Sequence, residues 1–243
     1  MHPILFQLKQ LTIYSYGFFV AMAMAVSLVL AEKRAARFSV DRTMAADALF
    51  VLFISGIMGA RALYVVQNFD DYAGDWWAVL RIQEGGLVWY GGLFGGILIT
   101  ALYLRWRGWP ILKLCDFFSP IAALAHGIGR IGCFFNGCCY GLRTNSVLGV
   151  RFPDQPYAVF PSQLFEALGL FIISAFLFRF ASPSRRLGQV FWVYLLLYSM
   201  LRFVLEFLRG DNSHYFFLTL PQWMSLAFFV PVLLILISQR TQK

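Results

Sequence analysis

Residues 15–31 have the sequence SYGFFVAMAMAVSLVLA, which contains no charged side chain. At about 1.5 Å per residue, a helix of this length nearly crosses the roughly 30 Å hydrocarbon core of a bilayer. Six further apolar runs follow, at 44–66, 88–104, 114–131, 162–180, 188–208 and 219–238. The sequence therefore predicts an all-α polytopic membrane protein with about seven transmembrane helices in a single domain, residues 1–243. The fourth run is the weakest, because Gly127, Gly129 and Gly132 interrupt it.

The composition supports this class. The chain is 60% hydrophobic and 13% charged, and a soluble domain carries roughly twice that charged fraction. The net charge of +8 does not indicate nucleic acid, because Lys and Arg flank membrane spans and set their orientation. The first run lacks a small-residue cleavage site before Glu32, so we expect it to be a retained anchor rather than a signal peptide.

The basic residues are distributed unequally between the two sets of loops. One side holds twelve: Lys33, Arg34, Arg37, Arg42, Arg105, Arg107, Lys113, Arg179, Arg185, Arg186, Arg240 and Lys243. The other side holds five: Lys9, Arg81, Arg143, Arg151 and Arg209. Cytoplasmic loops carry the Lys and Arg excess, so the N-terminus is predicted to lie outside and the C-terminus in the cytoplasm.

Three arginines, Arg61, Arg130 and Arg202, lie within or at the ends of predicted spans. A charge at bilayer depth costs a few kcal/mol or more, so each marks a functional site unless it merely snorkels to the interface. The predicted topology brings all three toward the outer leaflet. It brings to the same depth the polar residues of the odd-numbered spans, namely Tyr16, Tyr90, Gln163, Glu166 and Gln222. Snorkelling gives no reason for polar residues to gather at the outer face of the membrane, whereas a shared site at that face does.

Span six ends in Tyr198, Arg202, Glu206 and Arg209, whose spacing puts all four on one helical face. Glu206 can pair with either arginine. This pattern is typical of a structural ion-pair ladder, or of a carboxylate that orients an arginine toward a phosphate.

Two glycine-rich stretches, 85–96 and 127–141, adjoin these residues. Glycine lets a backbone or a ligand approach closely. Because the second stretch contains Arg130 and Asn136, it predicts a backbone cradle for an anion beside an arginine.

These motifs, taken together, resemble those of the bacterial phosphatidylglycerol–prolipoprotein diacylglyceryl transferases. The likeness runs nearly end to end. It includes Met1–Leu5, Tyr14–Gly17, Gly59–Arg61 with Tyr64, Gly85–Gly92, Gly129–Gly141, Pro161–Glu166, then Tyr198, Arg202, Glu206, Arg209 and Asp211, and finally Gln222 and Ser225. The stretch 129–141 and the span-six ladder are its most specific parts.

The resemblance implies transfer of a diacylglyceryl group from phosphatidylglycerol to a cysteine thiol of prolipoprotein signal peptides. The enzyme would lie in the bacterial inner membrane, among membrane lipids, with its active site toward the extracytoplasmic face. Catalysis is then expected from Arg130, Arg202, Tyr90 and Glu206. Phosphatidylglycerol is expected to contact Arg130, Asn136, Arg202, Tyr16, Tyr198, Arg61 and Arg209. No cofactor and no metal are expected.

The chain departs from the common family pattern at three positions. Many relatives have His where Tyr90 stands, Asn where Cys133 stands and an acidic residue where Cys138 stands. The substrate thiol has to lose a proton. Nearby arginine charge alone could favour the thiolate, or Tyr90 or His126 could accept the proton, and of these two we favour Tyr90 because of its position.

The cysteines suggest a metal site only weakly, because Cys133 precedes the adjacent pair Cys138 and Cys139 by a spacing that is not that of zinc ligands. The sequence also allows a disulfide between Cys133 and Cys138.

Two other functions fit an apolar chain with charges in its spans. A small transporter or channel would usually show repeated halves and a site near the midplane, and this chain shows neither. A non-catalytic lipid-binding protein of the same fold is the other alternative.

The charge bias predicts that loops 32–43, 105–113 and 181–187 are cytoplasmic and that residues 132–161 are extracytoplasmic. In a chain whose four native cysteines are replaced by Ser, a cysteine at Asn145 should react with a membrane-impermeant maleimide in intact cells. A cysteine at Ser184 should react only after permeabilisation. Labelling of residue 145 from the cytoplasm alone would contradict the orientation.

Overall fold

A computed structural model describes residues 4–8, 11–72, 74–82, 85–153, 155–209 and 214–241. A hairpin of β1 (Ile4–Leu8) and β2 (Leu11–Tyr14) precedes seven helices. These are α1 (Ser15–Ala35), α2 (Arg42–Gln67), α3 (Trp89–Trp106), α4 (Ile111–Asn136), α5 (Ser162–Phe180), α6 (Gln189–Glu206) and α7 (Leu220–Thr241). A second small hairpin, β3 (His214–Tyr215) with β4 (Leu218–Thr219), joins α6 to α7. Met1–Pro3 and Asp211, which belong to the family resemblance, lie outside the described residues.

All seven predicted runs are helical, and six of the helices are long and apolar enough to cross a membrane. The exception is α3, whose aromatic start, glycines and terminal Arg105 dilute its apolar residues. The weakest span is therefore the third rather than the fourth. Helix α4 continues through Gly127, Gly129 and Gly132 to Asn136. Helix faces also carry exposed apolar side chains, such as Phe50, Phe94 and Leu98, as lipid contact requires. Seven spans and the orientation of the termini stay predictions.

The chain forms two compact units, one of Met1–Leu30 with Cys115–Lys243 and one of Ala31–Leu114. We refer to them as the large unit and the small unit. The expectation of a single domain stays a prediction.

Glycines join α2 and α3 in the small unit. A Cβ added at Gly59 would meet the carbonyl oxygen of Gly91 and would lie 3.0 Å from the Cα of Gly95. The two helix backbones therefore touch with no side chain between them, which is how small residues drive helix packing in membranes.

Polar groups of α4 hold the neighbouring helices in the large unit. The Asp116 carboxylate accepts hydrogen bonds from the backbone N–H groups of Gly188, at 2.6 Å, and of Phe191, at 2.8 Å. It thereby satisfies the free donors at the start of α6 and lies at the positive end of that helix dipole. The Ser174 hydroxyl of α5 donates to the carbonyl of Pro120 at 2.7 Å.

The contact at Gly59 predicts that Gly59→Ala destabilises the protein, because the obstructing atoms are backbone. Overpacking of this kind costs about 1–3 kcal/mol. Gly96→Ala is the matched control, since its Cβ would meet atoms only at 3.4–3.5 Å, which is ordinary van der Waals contact. Thermal unfolding in detergent should show a lowered Tm for Gly59→Ala alone. Equal Tm values for the two variants would contradict the close contact.

Candidate active site

An ion pair between Arg130 of α4 and Glu166 of α5 lies in the interior of the large unit. Arg130 Nη2 lies 3.0 Å from Glu166 Oε1, and the two side chains are 16% and 2% exposed. Glu166 follows the start of α5 by four residues, so this carboxylate is brought in by the first turns of the helix. A buried carboxylate or guanidinium is costly when it is alone, so each of these groups needs the other.

The same carboxylate oxygen has two further neighbours. The Tyr198 hydroxyl of α6 donates to Glu166 Oε1 at 3.4 Å, and His126 Nε2 lies 3.9 Å from that oxygen. The His126 and Tyr198 rings pack with their centroids 5.1 Å apart. Since His126 precedes Arg130 by four residues, both side chains leave α4 on the same face. Glu166 therefore connects α4, α5 and α6.

Sequence reasoning recognised Glu166 as one of several polar residues at the same depth but did not include it in the site. The signal that could have identified it is the Arg130 charge, because an arginine in a span requires an acidic partner. Glu166 is the acidic residue of the Pro161–Glu166 segment.

A second ion pair lies at the end of α6. Arg202 Nη1 lies 2.8 Å from Glu206 Oε2, which confirms the predicted pairing of these two residues. Glu206 is fully enclosed, and its Oε1 accepts a hydrogen bond from the Thr219 hydroxyl at 2.8 Å. The Thr219 backbone N–H donates to Gln222 Oε1 at 3.0 Å. Thr219, at the end of β4, therefore holds Glu206 in place and is itself fixed by Gln222 in the first turn of α7.

The predicted four-residue ladder is wrong at Arg209. Helix α6 ends at Glu206, so Arg209 does not share a helical face with Tyr198 and Arg202. Its backbone pairs instead with Gly141 in an isolated antiparallel bridge, and the Leu142 N–H donates to Leu208 O at 2.8 Å. Arg209 thus lies where the chain after α4 meets the chain after α6.

The predicted glycine cradle also needs correction. Residues 127–136 are helical, so most of their N–H groups are committed to hydrogen bonds within α4 and cannot bind an anion. Two of the glycines serve packing. A Cβ at Gly127 would collide with Phe171, and one at Gly132 would lie 2.9 Å from Phe19 Cβ and 3.5 Å from Tyr16 Cδ2.

Three other candidates occupy separate places. Tyr16, at the start of α1, packs near Gly132 and is 43% exposed. Asn136 is exposed at the last residue of α4. Tyr90 begins α3 in the small unit, where its ring packs edge-on against Trp89.

The position of Arg61 argues against its predicted contact with lipid phosphate. Its side chain is buried in the small unit, and each of its three nitrogens donates to backbone carbonyls. The acceptors are the carbonyls of Val79, Gly85, Gly86, Ala78 and Arg81, at 2.7 to 3.4 Å. A guanidinium has five N–H groups, so this one is saturated and shapes the segment before α3.

Arg130 retains capacity for a ligand. Its Nε is buried and has no hydrogen-bond partner among the described residues. A buried donor without a partner costs about 1–3 kcal/mol, which an incoming anion would recover.

The cysteines differ from what their spacing suggested. The sulfur atoms of Cys133, Cys138 and Cys139 all lie within 4.8 Å of one another, and all four cysteines of the chain are free. Spacing along the chain therefore does not exclude a metal site, because the turn after α4 folds back over its last residues, and the expectation that no metal is bound stays a prediction.

Comparison with known proteins identifies the family. The family model for prolipoprotein diacylglyceryl transferase matches residues 3–238. A phosphatidylglycerol–prolipoprotein diacylglyceryl transferase of Clostridium tetani is 34% identical over 232 residues, which are 93% of each chain. The second such enzyme of Clostridium perfringens is 34% identical over 87% of this chain and 84% of its own. One of Finegoldia magna is 30% identical over 100% and 97%. The chain therefore belongs to the prolipoprotein diacylglyceryl transferase family, as its sequence motifs predicted.

Proposed function

We propose that the chain transfers the diacylglyceryl group of phosphatidylglycerol to the thiol of a prolipoprotein cysteine, and that Arg130 and Arg202 bind the lipid phosphate. Family membership supports the reaction over transport or passive lipid binding. The residue assignment is carried by one observation. Two guanidinium groups lie mostly enclosed within an apolar helical unit, with side chains 16% and 14% exposed, and each is paired with its own carboxylate.

In this reaction the sulfur attacks the glyceryl carbon that bears the phosphate. The carbon–oxygen bond breaks, a carbon–sulfur bond forms, and glycerol phosphate leaves with the electron pair. The thiol proton passes to a base. Negative charge grows on the departing phosphate, so fixed cations directed at it stabilise the transition state. Their effect is stronger away from water.

The two carboxylates are positioning residues in this scheme. Glu166 occupies one nitrogen of Arg130 and leaves the buried Nε for a phosphate oxygen. Glu206 aligns Arg202 and is itself held by Thr219. The Tyr198 hydroxyl donates to Glu166, and it lies near enough to both arginines to interact with them electrostatically. A planar guanidinium can offer two parallel hydrogen bonds to phosphate once its direction is fixed in this way.

We assign the proton acceptor to His126 rather than to Tyr90. His126 lies beside Glu166 and against Tyr198, within the arginine cluster. The assignment of Tyr90 rests on its place in the family motif. A neutral imidazole offers a nitrogen lone pair to the thiol proton, whereas a phenol must first be ionised to act as a base, and its ordinary pKa is about 10.

The site is proposed to face the extracytoplasmic side of the bacterial inner membrane. The charge bias of the loops supports this orientation, which would bring Arg130 and Arg202 to the depth of outer-leaflet headgroups. Phosphatidylglycerol would then enter sideways between helices, and the signal peptide would approach from the bilayer.

The phosphate assignment predicts that Arg130→Lys and Arg202→Lys both insert normally and lose turnover. Lysine keeps the charge but not the planar pair of donors, and loss of one such donor typically costs about 10²–10³-fold in kcat. Purified protein with phosphatidylglycerol and a lipobox peptide should be assayed for the thioether product and for glycerol phosphate at saturating lipid.

Arg42→Lys is the matched control for this experiment. Arg42 forms an exposed pair with Glu32 at 3.7 Å, so its replacement should leave turnover unchanged. Near-normal kcat in Arg130→Lys would contradict the proposal and would make its guanidinium an interface anchor.

The base assignment predicts that His126→Gln lowers kcat more than Tyr90→Phe does. Without an internal base, the enzyme depends on thiolate formed in solution, so turnover of His126→Gln should rise steeply as pH approaches the thiol pKa of about 8.5. The pH profile of Tyr90→Phe should stay close to that of the parent enzyme. The opposite ranking would move the base to α3.

A further inference from the structure

Three thiols converge immediately beyond Arg130, and the transfer reaction uses none of them. The sulfur atoms of Cys133, Cys138 and Cys139 lie within 4.8 Å of one another, and each side chain is partly exposed. They form the only group of three or more His, Cys, Asp or Glu with metal-binding spacing among the described residues.

The backbone forms this cluster through a defined turn. Helix α4 ends at Asn136, and Gly137 then adopts a positive φ of 77°, as glycine commonly does just after a helix. The N–H of Cys138 returns to the carbonyl of Cys133 at 3.2 Å, which brings the adjacent cysteines over the last turn of the helix.

Helix α5 stabilises the turn from outside. The Gln163 side-chain amide donates to the Cys138 carbonyl at 2.6 Å, and the Ser162 hydroxyl donates to the Cys139 carbonyl at 2.9 Å. Cys139 itself has φ of 62°, a left-handed conformation that residues with a Cβ adopt rarely. The cluster is thus preorganised mainly by hydrogen bonds to its backbone carbonyls, and Cys138 Sγ adds one to the Cys133 carbonyl at 3.7 Å.

We propose that Cys133, Cys138 and Cys139 bind one thiophilic metal ion of the Zn²⁺ class through three thiolates. Zinc–sulfur bonds are about 2.3 Å long, so three ligands of a tetrahedral site lie about 3.8 Å apart. The sulfur atoms need to approach by no more than about an ångström, which side-chain rotation supplies. Three thiols lose three protons on binding, and the fourth metal position is left for water or another small ligand.

The surrounding charge suits such a complex. Zn²⁺ with three thiolates carries one net negative charge. Arg130 and Arg209 lie near enough to Cys139 to interact with it electrostatically. Soft sulfur ligands select Zn²⁺, Cd²⁺ or Cu⁺ over Mg²⁺ and Ca²⁺.

The experiment titrates purified, reduced, full-length protein in detergent with ZnCl₂ against a chromophoric chelator. Cd²⁺ is used in a second titration, because thiolate-to-cadmium charge transfer absorbs in the ultraviolet. We expect one ion per chain and release of protons to a weak buffer. Mg²⁺ should not compete. Single replacement of Cys133, Cys138 or Cys139 by Ser should weaken binding at least about tenfold, since each removes one of three ligands.

Cys115→Ser is the matched control, because Cys115 lies on the same helix about 27 Å from Cys133 at 1.5 Å per residue. This variant should bind zinc like the parent protein. Zinc binding by the parent no tighter than by the triple Ser variant would overturn the proposal. So would isolation of the protein with a disulfide inside the cluster that resists reduction, since no thiolates would then be available. The test does not depend on transferase activity.

Discussion

A guanidinium in an apolar helix requires a partner, and for Arg130 that partner is Glu166. Neither group is stable alone at such burial, because an unpaired charge in a low-dielectric interior costs several kcal/mol. The pair fixes how α4 faces α5, and through the Tyr198 hydroxyl it also orients α6. Arg202 and Glu206 form a second such ion pair, both members of which lie on α6. In the proposed mechanism, stability and reactivity share the same groups, because the carboxylates that stabilise the arginines in the apolar interior also fix their direction.

Much of this arrangement is visible in the sequence, since helix length and apolar content determine the spans, and i,i+4 spacing determines the Arg202–Glu206 pair. The remaining features depend on contacts between distant segments. Arg61 resembled Arg130 by position and charge, yet carbonyls of residues 78 to 86 saturate it. Arg209 does not belong to the ladder because α6 ends at Glu206. The spacing of the four residues does not reveal where the helix ends. The cysteines appeared too far apart because their proximity is created by a turn.

The glycine-rich motif and the paired charged residues lie in different units. The glycine-rich stretch from Gly85 to Gly92 lies in the small unit, where Arg61 and Tyr64 pack against Gly86. The charged residues that can act on a phosphate, Arg130 and Arg202, lie in the large unit together with their carboxylates. A sequence motif can thus be strong because it shapes a loop, whereas one acidic residue of another motif, Glu166, pairs with the buried charge. Burial and hydrogen-bond saturation distinguish an arginine that shapes a loop from one that can bind an anion, whereas residue type alone does not.

The hydrogen bonds from the start of α6 to Asp116 also fix the axial register of α4 and α6. Asp116 precedes Arg130 by fourteen residues, and its hydrogen-bonded partner Gly188 precedes Arg202 by the same number. His126 and Tyr198, which pack together, are each ten residues from that anchor. Equal numbers of residues give equal rises of about 21 Å along the two helices. Arg130 and Arg202 therefore lie equally far along their helices from the contact between Asp116 and Gly188. A substitution between anchor and arginine that fits the local packing leaves this register unaltered. An inserted residue cannot, because it would rotate everything beyond it by about 100°. The chain between these anchors is therefore constrained in length more tightly than in composition.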